Sequence, residues 1–395
     1  MRWRCVMKTE WLRKTIADFD PYFVAPIAEK HVINANENYL NVLTIPGVKE
    51  ELIQALDTFR PQIYPKPMSD DIREALADHI GAKPENFIVG NGGDEMITYL
   101  LGTFLDPGDQ ILIHSPTFDM YELGAETLGA SAIKVKDLPG YRRDQKGLLE
   151  AVRRYQPKVT VICNPNNPTG YLYSEEELQR LRDIVLSHDL YLFADEVYRE
   201  FRYTDAPYLS ALCLEGLEQN VVVIDSVSKR YSECGTRIGM IVSHNKEAIL
   251  KFCQARLSPP LLGQIVAEAS IEGTEEYSKE CFDEYLARRD FFIAGLNKIP
   301  GVYSPMPNGA FYTIASLPVE NAEDFCSWCL TDFSYKDDGT PEGYTGETVM
   351  MAPAAGFYST PNLGKNQVRM AYVLKTEDLG RSLLVLEKAL EAYKK

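Results

Sequence analysis

Long hydrophobic runs are missing from this 395-residue chain. No window approaches the length of a transmembrane helix, and the N-terminus, Met1-Arg2-Trp3-Arg4-Cys5-Val6-Met7-Lys8, carries charge but no apolar h-region. No membrane partner is expected, and the protein reads as cytoplasmic. Basic residues are also scarce: 41 Lys and Arg stand against 57 Asp and Glu, a formal charge of -16 that excludes a broad attraction to nucleic acid or anionic lipid. Any anion site must therefore be local. Cysteines in metal-ligating pairs are lacking. Of the eight cysteines, Cys326 and Cys329 have a C-x-x-C spacing, but neither a second pair nor a histidine follows at zinc-finger distance, so free buried thiols and no metal are expected. The absence of internal repeats and low-complexity tracts excludes a solenoid.

With 45% hydrophobic residues the chain can bury a large core, and its length fits a big domain plus a smaller one. Residues 1–44 read as an N-terminal arm and the start of the small domain, because Phe19-Asp20-Pro21-Tyr22-Phe23-Val24-Ala25-Pro26 is too proline-rich for a helix. Leu52, Ile53, Ala55 and Leu56 have helical spacing over 49–59; Tyr64-Pro65-Lys66-Pro67 then makes a loop, and Ser69 is expected to cap a helix running to Gly81. From Phe87 onward, short apolar runs at 87–89, 111–113, 159–163 and 190–194 alternate with amphipathic segments at 96–104, 120–128 and 175–187. That alternation predicts βαβ units and an α/β fold with a mainly parallel sheet, in a large domain over 45–272. Two long helices are predicted at 245–271 and 275–299. Strands at 310–314, 348–351 and 368–373, with helices at 321–333 and from 377, predict a smaller α+β domain over 273–395.

The chemistry concentrates in Ser226-Val227-Ser228-Lys229-Arg230-Tyr231-Ser232-Glu233-Cys234-Gly235-Thr236-Arg237-Ile238-Gly239, which directly follows the β-branched run Val221-Val222-Val223-Ile224. Such a run predicts a buried strand that delivers the next residues to a sheet edge. Hydroxyls at Ser226 and Ser228 and the guanidinium of Arg237 suit a phosphate, and the amine of Lys229 suits a carbonyl. A phosphate and an aldehyde on one ligand describe pyridoxal phosphate, which attaches to a lysine as a Schiff base. Upstream, Gly90-Asn91-Gly92-Gly93-Asp94-Glu95 joins a strand to a helix, where glycines admit an anion and helix N–H groups face it. By itself that pattern is equally an ordinary turn with acids complementing the helix dipole. Phe118 follows a strand at the ligand-binding edge and can stack on a flat ring, although an aromatic there is more often core. Asn164-Pro165-Asn166-Asn167-Pro168-Thr169-Gly170 is a rigid loop that presents Asn167. Asp195 ends an apolar run and, if buried, needs a cation, which a protonated pyridine nitrogen supplies; Tyr198, three residues on, can donate to the ring hydroxyl. Arg369 on a late strand is either a surface ion pair or a bidentate clamp on a substrate carboxylate.

Taken in order, these motifs make the sequence similar to the class I/II pyridoxal-phosphate aminotransferases, the aspartate-aminotransferase-like fold type I, through almost the whole chain. The resemblance implies Lys229 as the cofactor lysine, Asp195 as the partner of the pyridine nitrogen, and Asn167 and Tyr198 at the ring hydroxyl. It implies Gly92, Gly93, Asp94, Ser226, Ser228 and Arg237 around the phosphate, and Phe118 beside the ring. Arg369 resembles the arginine that binds the α-carboxylate. Tyr64 resembles the tyrosine that reaches the phosphate of a neighbouring subunit, which implies a homodimer with shared sites.

Within the family, Asn34-Ala35-Asn36-Glu37-Asn38 and the Gly90–Glu95 loop resemble the histidinol-phosphate branch, and Asn36 is a candidate substrate contact. The segment from Arg230 to Cys234 departs from that branch, which is small and apolar there, and Tyr39 replaces the expected proline. The segments 349–358 and 368–374 resemble bacterial aspartate aminotransferases. A dicarboxylic substrate needs a second cation, for which Arg256 is the candidate. The expected activity is transfer of the amino group of an L-amino acid, aspartate or glutamate first, to a 2-oxo acid such as 2-oxoglutarate. Alternatives are a histidinol-phosphate or aromatic aminotransferase, or a lyase or decarboxylase using the same cofactor, since fold does not decide which bond breaks. A cofactor-binding regulator is the remote alternative, because the N-terminal arm has no room for a helix-turn-helix and the net charge opposes DNA contact.

Overall fold

A computed structural model of the chain describes residue 13 and residues 30–34, 36–37, 41–205, 207–253, 258–272, 274–337, 346–358 and 360–393. Its centre is a seven-stranded sheet built from β2 (Phe87–Gly90), β3 (Gln110–Ser115), β4 (Ser131–Lys136), β5 (Val159–Cys163), β6 (Tyr191–Asp195), β7 (Val221–Ser226) and β8 (Gly239–Val242), in the order β2-β8-β7-β6-β5-β3-β4. The pairs β4/β3, β3/β5, β5/β6 and β6/β7 are parallel, and β8 runs antiparallel to both its neighbours. Every residue of β5 and β7 is buried. A parallel sheet covered on both faces requires continuous apolar runs of this kind rather than alternation. One face packs on helices Asp70–Ile80, Gln145–Tyr155 and Glu175–His188; the other packs on Gly93–Phe104, Met120–Thr127 and Lys246–Cys253.

A separate apolar cluster unites helices Thr274–Leu296, Ala322–Thr331 and Thr376–Ala392 with a three-stranded sheet of β9 (Tyr312–Ser316), β11 (Ala352–Pro353) and β12 (Gln367–Ala371). There β1 (Lys30–Val32) pairs in parallel with β10 (Thr348–Met350), so the chain just after the N-terminal arm joins the C-terminal part. Tyr198 and Phe201, from the turn after β6, belong to the same cluster and pin it against the open edge of the large sheet. Among the described residues no helix is long and apolar enough to cross a membrane, and no group of three or more His, Cys, Asp or Glu side chains is placed to hold a metal ion.

Three local expectations need correction. The helix predicted at 245–271 is two helices, Lys246–Cys253 and Leu261–Glu272. The pair Pro259-Pro260 supplies no backbone donors and disfavours helical backbone in the residue before it, so the segment cannot continue as one helix. Ser69 stands at the N-cap position of Asp70–Ile80, but its backbone is left-handed (φ 54°) and its side chain makes no cap bond. Strand β4, helix Gln145–Tyr155 and β8 lie where no element was predicted. In β4 the lysines Lys134 and Lys136 interrupt the apolar pattern because that strand is a half-exposed sheet edge.

Candidate active site

The carboxyl ends of β2, β3, β5, β6 and β7 and the start of β8 meet at one edge of the sheet, the place where open α/β sheets bind ligands. Gly92, at φ +90°, precedes helix Gly93–Phe104, whose first-turn amides have no side-chain cap. Those N–H groups are free to meet an anion. Gly92 is required by its positive φ, with the Arg237 guanidinium lying where a Cβ would be, and Gly239 by close approach, because a Cβ there would strike the Gly92–Gly93 backbone. Glu95 turns back to accept the Asn91 N–H at 2.7 Å, which keeps that carboxylate on its own loop. Arg237 adopts a left-handed backbone (φ 58°), a costly conformation for a non-glycine residue, and donates from Nη1 to the Cys234 carbonyl at 2.8 Å. Ser226 caps the one-turn helix Val227–Arg230 by accepting the Ser228 N–H at 3.1 Å, and its hydroxyl lies 2.8 Å from that of Ser228. Amides, two hydroxyls and a guanidinium around one concavity form a phosphate-type cradle.

That short helix carries Lys229 into the same cavity, with Nζ 3.4 Å from the Asn36 carbonyl and 3.6 Å from the Cys234 sulfur. Across from it, at the end of β6, Asp195 is buried and accepts bonds from the Tyr121 hydroxyl at 3.0 Å and the Val197 N–H at 3.3 Å. No cationic side chain among the described residues pairs with it in a salt bridge. Burial pushes its carboxyl up to about 6. A carboxylate held this way accepts a proton-bearing nitrogen from a ligand in the cavity at a large gain in pairing.

The ring-facing groups complete the site. Phe118 lines the cavity edge-on to Tyr121, with centroids 6.5 Å apart. The fully buried Asn166 ties the proline loop to the β3 end by donating to the Pro116 carbonyl at 3.1 Å and accepting from the Thr117 hydroxyl at 2.9 Å. This presents Asn167, whose Oδ1 accepts from Arg369 Nη1 at 3.2 Å. Arg369 also donates from Nη2 to the Asn34 carbonyl at 2.9 Å, while its buried Nε finds no hydrogen-bond partner among the described residues. Tyr198 is buried with its hydroxyl 2.9 Å from that of Tyr312.

Asn36, Gly93, Asp94, Phe118, Asn167, Asp195, Tyr198, Ser226, Ser228, Lys229 and Arg237 thus line one cavity, with Gly92 and Arg369 bonded or packed against its walls. Tyr64 is not among them: it is 95% exposed on the outer surface. Arg256 lies outside the described residues. The segment that departs from the histidinol-phosphate branch turns mostly away from the cavity. Arg230 is buried against Asp225 at 2.6 Å, and Glu233 accepts bonds from Ser270 and Thr236, its carboxyl pushed up to about 7 by burial. Only Cys234 of Arg230–Cys234 lines the cavity. Sequence reasoning missed Tyr121, Cys163 and Tyr312, and gave no separate role to Cys234 and Gly239 within the Ser226–Gly239 stretch. Tyr121 is the second residue of helix Met120–Thr127, with Phe118 in the loop just before it, and Tyr312 has no signal beyond its buried strand.

The sequence profile described as aminotransferase class I and II matches residues 30–346. The chain belongs to that family. Relatives named for different substrates match at similar identity. A histidinol-phosphate aminotransferase of Caldanaerobacter subterraneus is 31% identical over 319 residues, 79% of this chain and 85% of that protein. An aspartate aminotransferase of Musicola paradisiaca is 31% identical over 266 residues, 64% of this chain and 65% of that protein. Among solved structures, an aspartate aminotransferase of Thermus thermophilus superposes with a TM-score of 0.77 at 25% identity, over 91% of this chain and 92% of that one. The class I/II aminotransferase described here therefore has the fold type I architecture of pyridoxal-phosphate-dependent transaminases.

The environment of Asp195 makes a prediction independent of turnover. Its folded carboxyl sits at about 6 against an ordinary value of 3.8, so within that window the folded chain keeps a proton that the unfolded chain has lost. Stability from this group therefore falls as pH rises through the window and levels off above it. Cofactor-free Asp195→Asn, neutral at that position, is expected to be more stable than wild type near pH ~7 by on the order of 3 kcal/mol, and the difference is expected to shrink toward pH ~4. Thermal melts across that range test it; a difference independent of pH contradicts it.

Proposed function

We propose that this aminotransferase is a cytoplasmic, homodimeric, pyridoxal-phosphate-dependent enzyme that moves the amino group of an L-amino acid, aspartate or glutamate first, to a 2-oxo acid such as 2-oxoglutarate. The observation that carries the reading is the buried, cation-free Asp195 facing the same cavity as Lys229 and the phosphate-type cradle. Pyridoxal phosphate, when bound, supplies an aldehyde for the lysine amine and a ring that withdraws electrons from the carbon being deprotonated. In this reading the amides of Gly93 and Asp94, the hydroxyls of Ser226 and Ser228 and the guanidinium of Arg237 hold the phosphate, with Gly92 clearing room for Arg237. Asp195 would pair with a protonated ring nitrogen, Asn167 and Tyr198 would hydrogen-bond the ring oxygen, and Phe118 would lie beside the ring. The Lys229 amine moves the proton between the two carbons that exchange it. Arg369 holds the α-carboxylate, which takes the place of the Asn34 carbonyl on Nη2 and leaves the Asn167 contact to orient the guanidinium. Asn36 lies beside the lysine as a substrate contact, and Arg256 is proposed to meet the distal carboxylate.

A second donor, histidinol phosphate, is favoured by the Caldanaerobacter relative, which matches more of the chain than the Musicola one does. Single half-reactions decide between them. Aspartate and glutamate are each expected to bleach the visible absorption of the cofactor-loaded protein, and 2-oxoglutarate to restore it. Bleaching by histidinol phosphate alone would reverse the order of the two readings, and ammonia or CO2 release without amine transfer would overturn both.

The homodimer is supported by the outer surface. Tyr64 shares a surface groove with Ala55, Phe59, Ile63, Leu261 and Ile265, and helices Val48–Thr58 and Leu261–Glu272 and the loop at Ile63 also expose Ile53, Leu56, Ile63 and Leu262. Clustered apolar exposure of this kind marks an interaction face. A second copy docked there brings the Tyr64 of each subunit toward the phosphate cradle of the other. Ile63→Asp is expected to shift the mass in solution from two chains to one, as measured by light scattering; an unchanged dimer would place the interface elsewhere.

A further inference from the structure

Tyr312, the first residue of β9, is fully buried and touches three site residues from three distant parts of the chain. Its hydroxyl lies 2.9 Å from the Tyr198 hydroxyl and donates to the Asn36 side-chain carbonyl. Its ring lies beneath the Arg369 guanidinium, 4.8 Å from centroid to Cζ. Asn36 in turn places its backbone carbonyl 3.4 Å from both Lys229 Nζ and the Cys234 sulfur. A phenol has one proton and can give it to one acceptor at a time. Here two acceptors compete for it. When Tyr198 points its own proton at Tyr312, the proton of Tyr312 goes to Asn36. When Tyr198 instead spends its proton on a ligand oxygen in the cavity, its own oxygen is open to receive the proton of Tyr312, which must leave Asn36. A hydrogen bond received by Tyr198 strengthens the one it gives, because chained bonds polarise one another.

We propose that Tyr312 is a positioning residue whose single hydroxyl proton alternates between Asn36 and Tyr198, and so sets how strongly Tyr198 donates to the ring oxygen of the cofactor. The inference rests on the reading that Tyr198 faces that oxygen. The other charged or titratable groups around the two phenols are Asp195 on β6, Arg369 on β12, and Lys229 and Cys234 on the lysine loop. Burial pushes both phenols above their ordinary value, so each remains a proton donor through the working range.

The test is a pH titration of the visible absorption of protein loaded with pyridoxal phosphate. Tyr312→Phe keeps the ring beneath Arg369 and removes only the hydroxyl. Its midpoint is expected to move up by roughly half to one pH unit, because the ionised ring oxygen loses support from Tyr198. Asn36→Ala removes the competing acceptor and is expected to move the midpoint down. A merely structural contact would not give opposite signs. An unchanged midpoint in Tyr312→Phe, or shifts of the same sign in both variants, overturns the inference while leaving the cofactor reading intact. A wild type that takes up no pyridoxal phosphate overturns both.

Discussion

A carboxylate buried with no charged partner among the described residues is the constraint on which the site depends. Asp195 ends the central strand β6, where the neighbours are apolar and the available donors are one phenol, one thiol and one amide. Solvation is lost and only partly replaced, so the ionised form is disfavoured until a protonated group arrives. The strands beside β6 end at the same edge, and each delivers something that a flat phosphorylated cation would use. Stability is spent at one point of the core so that ligand binding can recover it.

The lysine turn shows how a one-turn helix is held where the chemistry needs it. Four residues cannot sustain a helix by backbone bonding alone. Ser226 caps the turn, and Arg230 clamps it to Asp225, whose carboxylate also accepts the Ser226 N–H at 2.7 Å. Both side chains of that ion pair are almost fully buried, so each is the condition for the other's presence. The polar residues that set this segment apart from the histidinol-phosphate branch thus serve the position of Lys229 more than the lining of the cavity. They bear less on substrate choice than their place in the sequence implies, with Cys234 the exception.

Much of this was legible in the sequence because the local rules were strong. Val221–Ser226 is a β-branched run, Asn164–Gly170 contains two prolines, and Gly92 sits where a strand meets a helix; such patterns leave few conformations open. What was not legible depends on contacts between distant residues. Tyr312 matters through Tyr198, Asn36 and Arg369, none of them near it in sequence. The edge strand Ser131–Lys136 was hidden because Lys134 and Lys136 broke the apolar run. Pro259-Pro260 did carry a local signal against one long helix, and the periodicity on either side of it masked that signal. The sequence pointed to a cation for Asp195 from a ligand; that no cationic side chain among the described residues forms a salt bridge with it depends on contacts between distant parts of the chain.

In the proposed function Lys229 and Asp195 address the two ends of one cofactor. Borohydride reduction of the protein incubated with pyridoxal phosphate, followed by peptide mass mapping, tests it most directly. A phosphopyridoxyl group is expected on Lys229 at close to one per chain, and none on that peptide in Lys229→Ala. Label spread over surface lysines with Lys229 unmodified would contradict it.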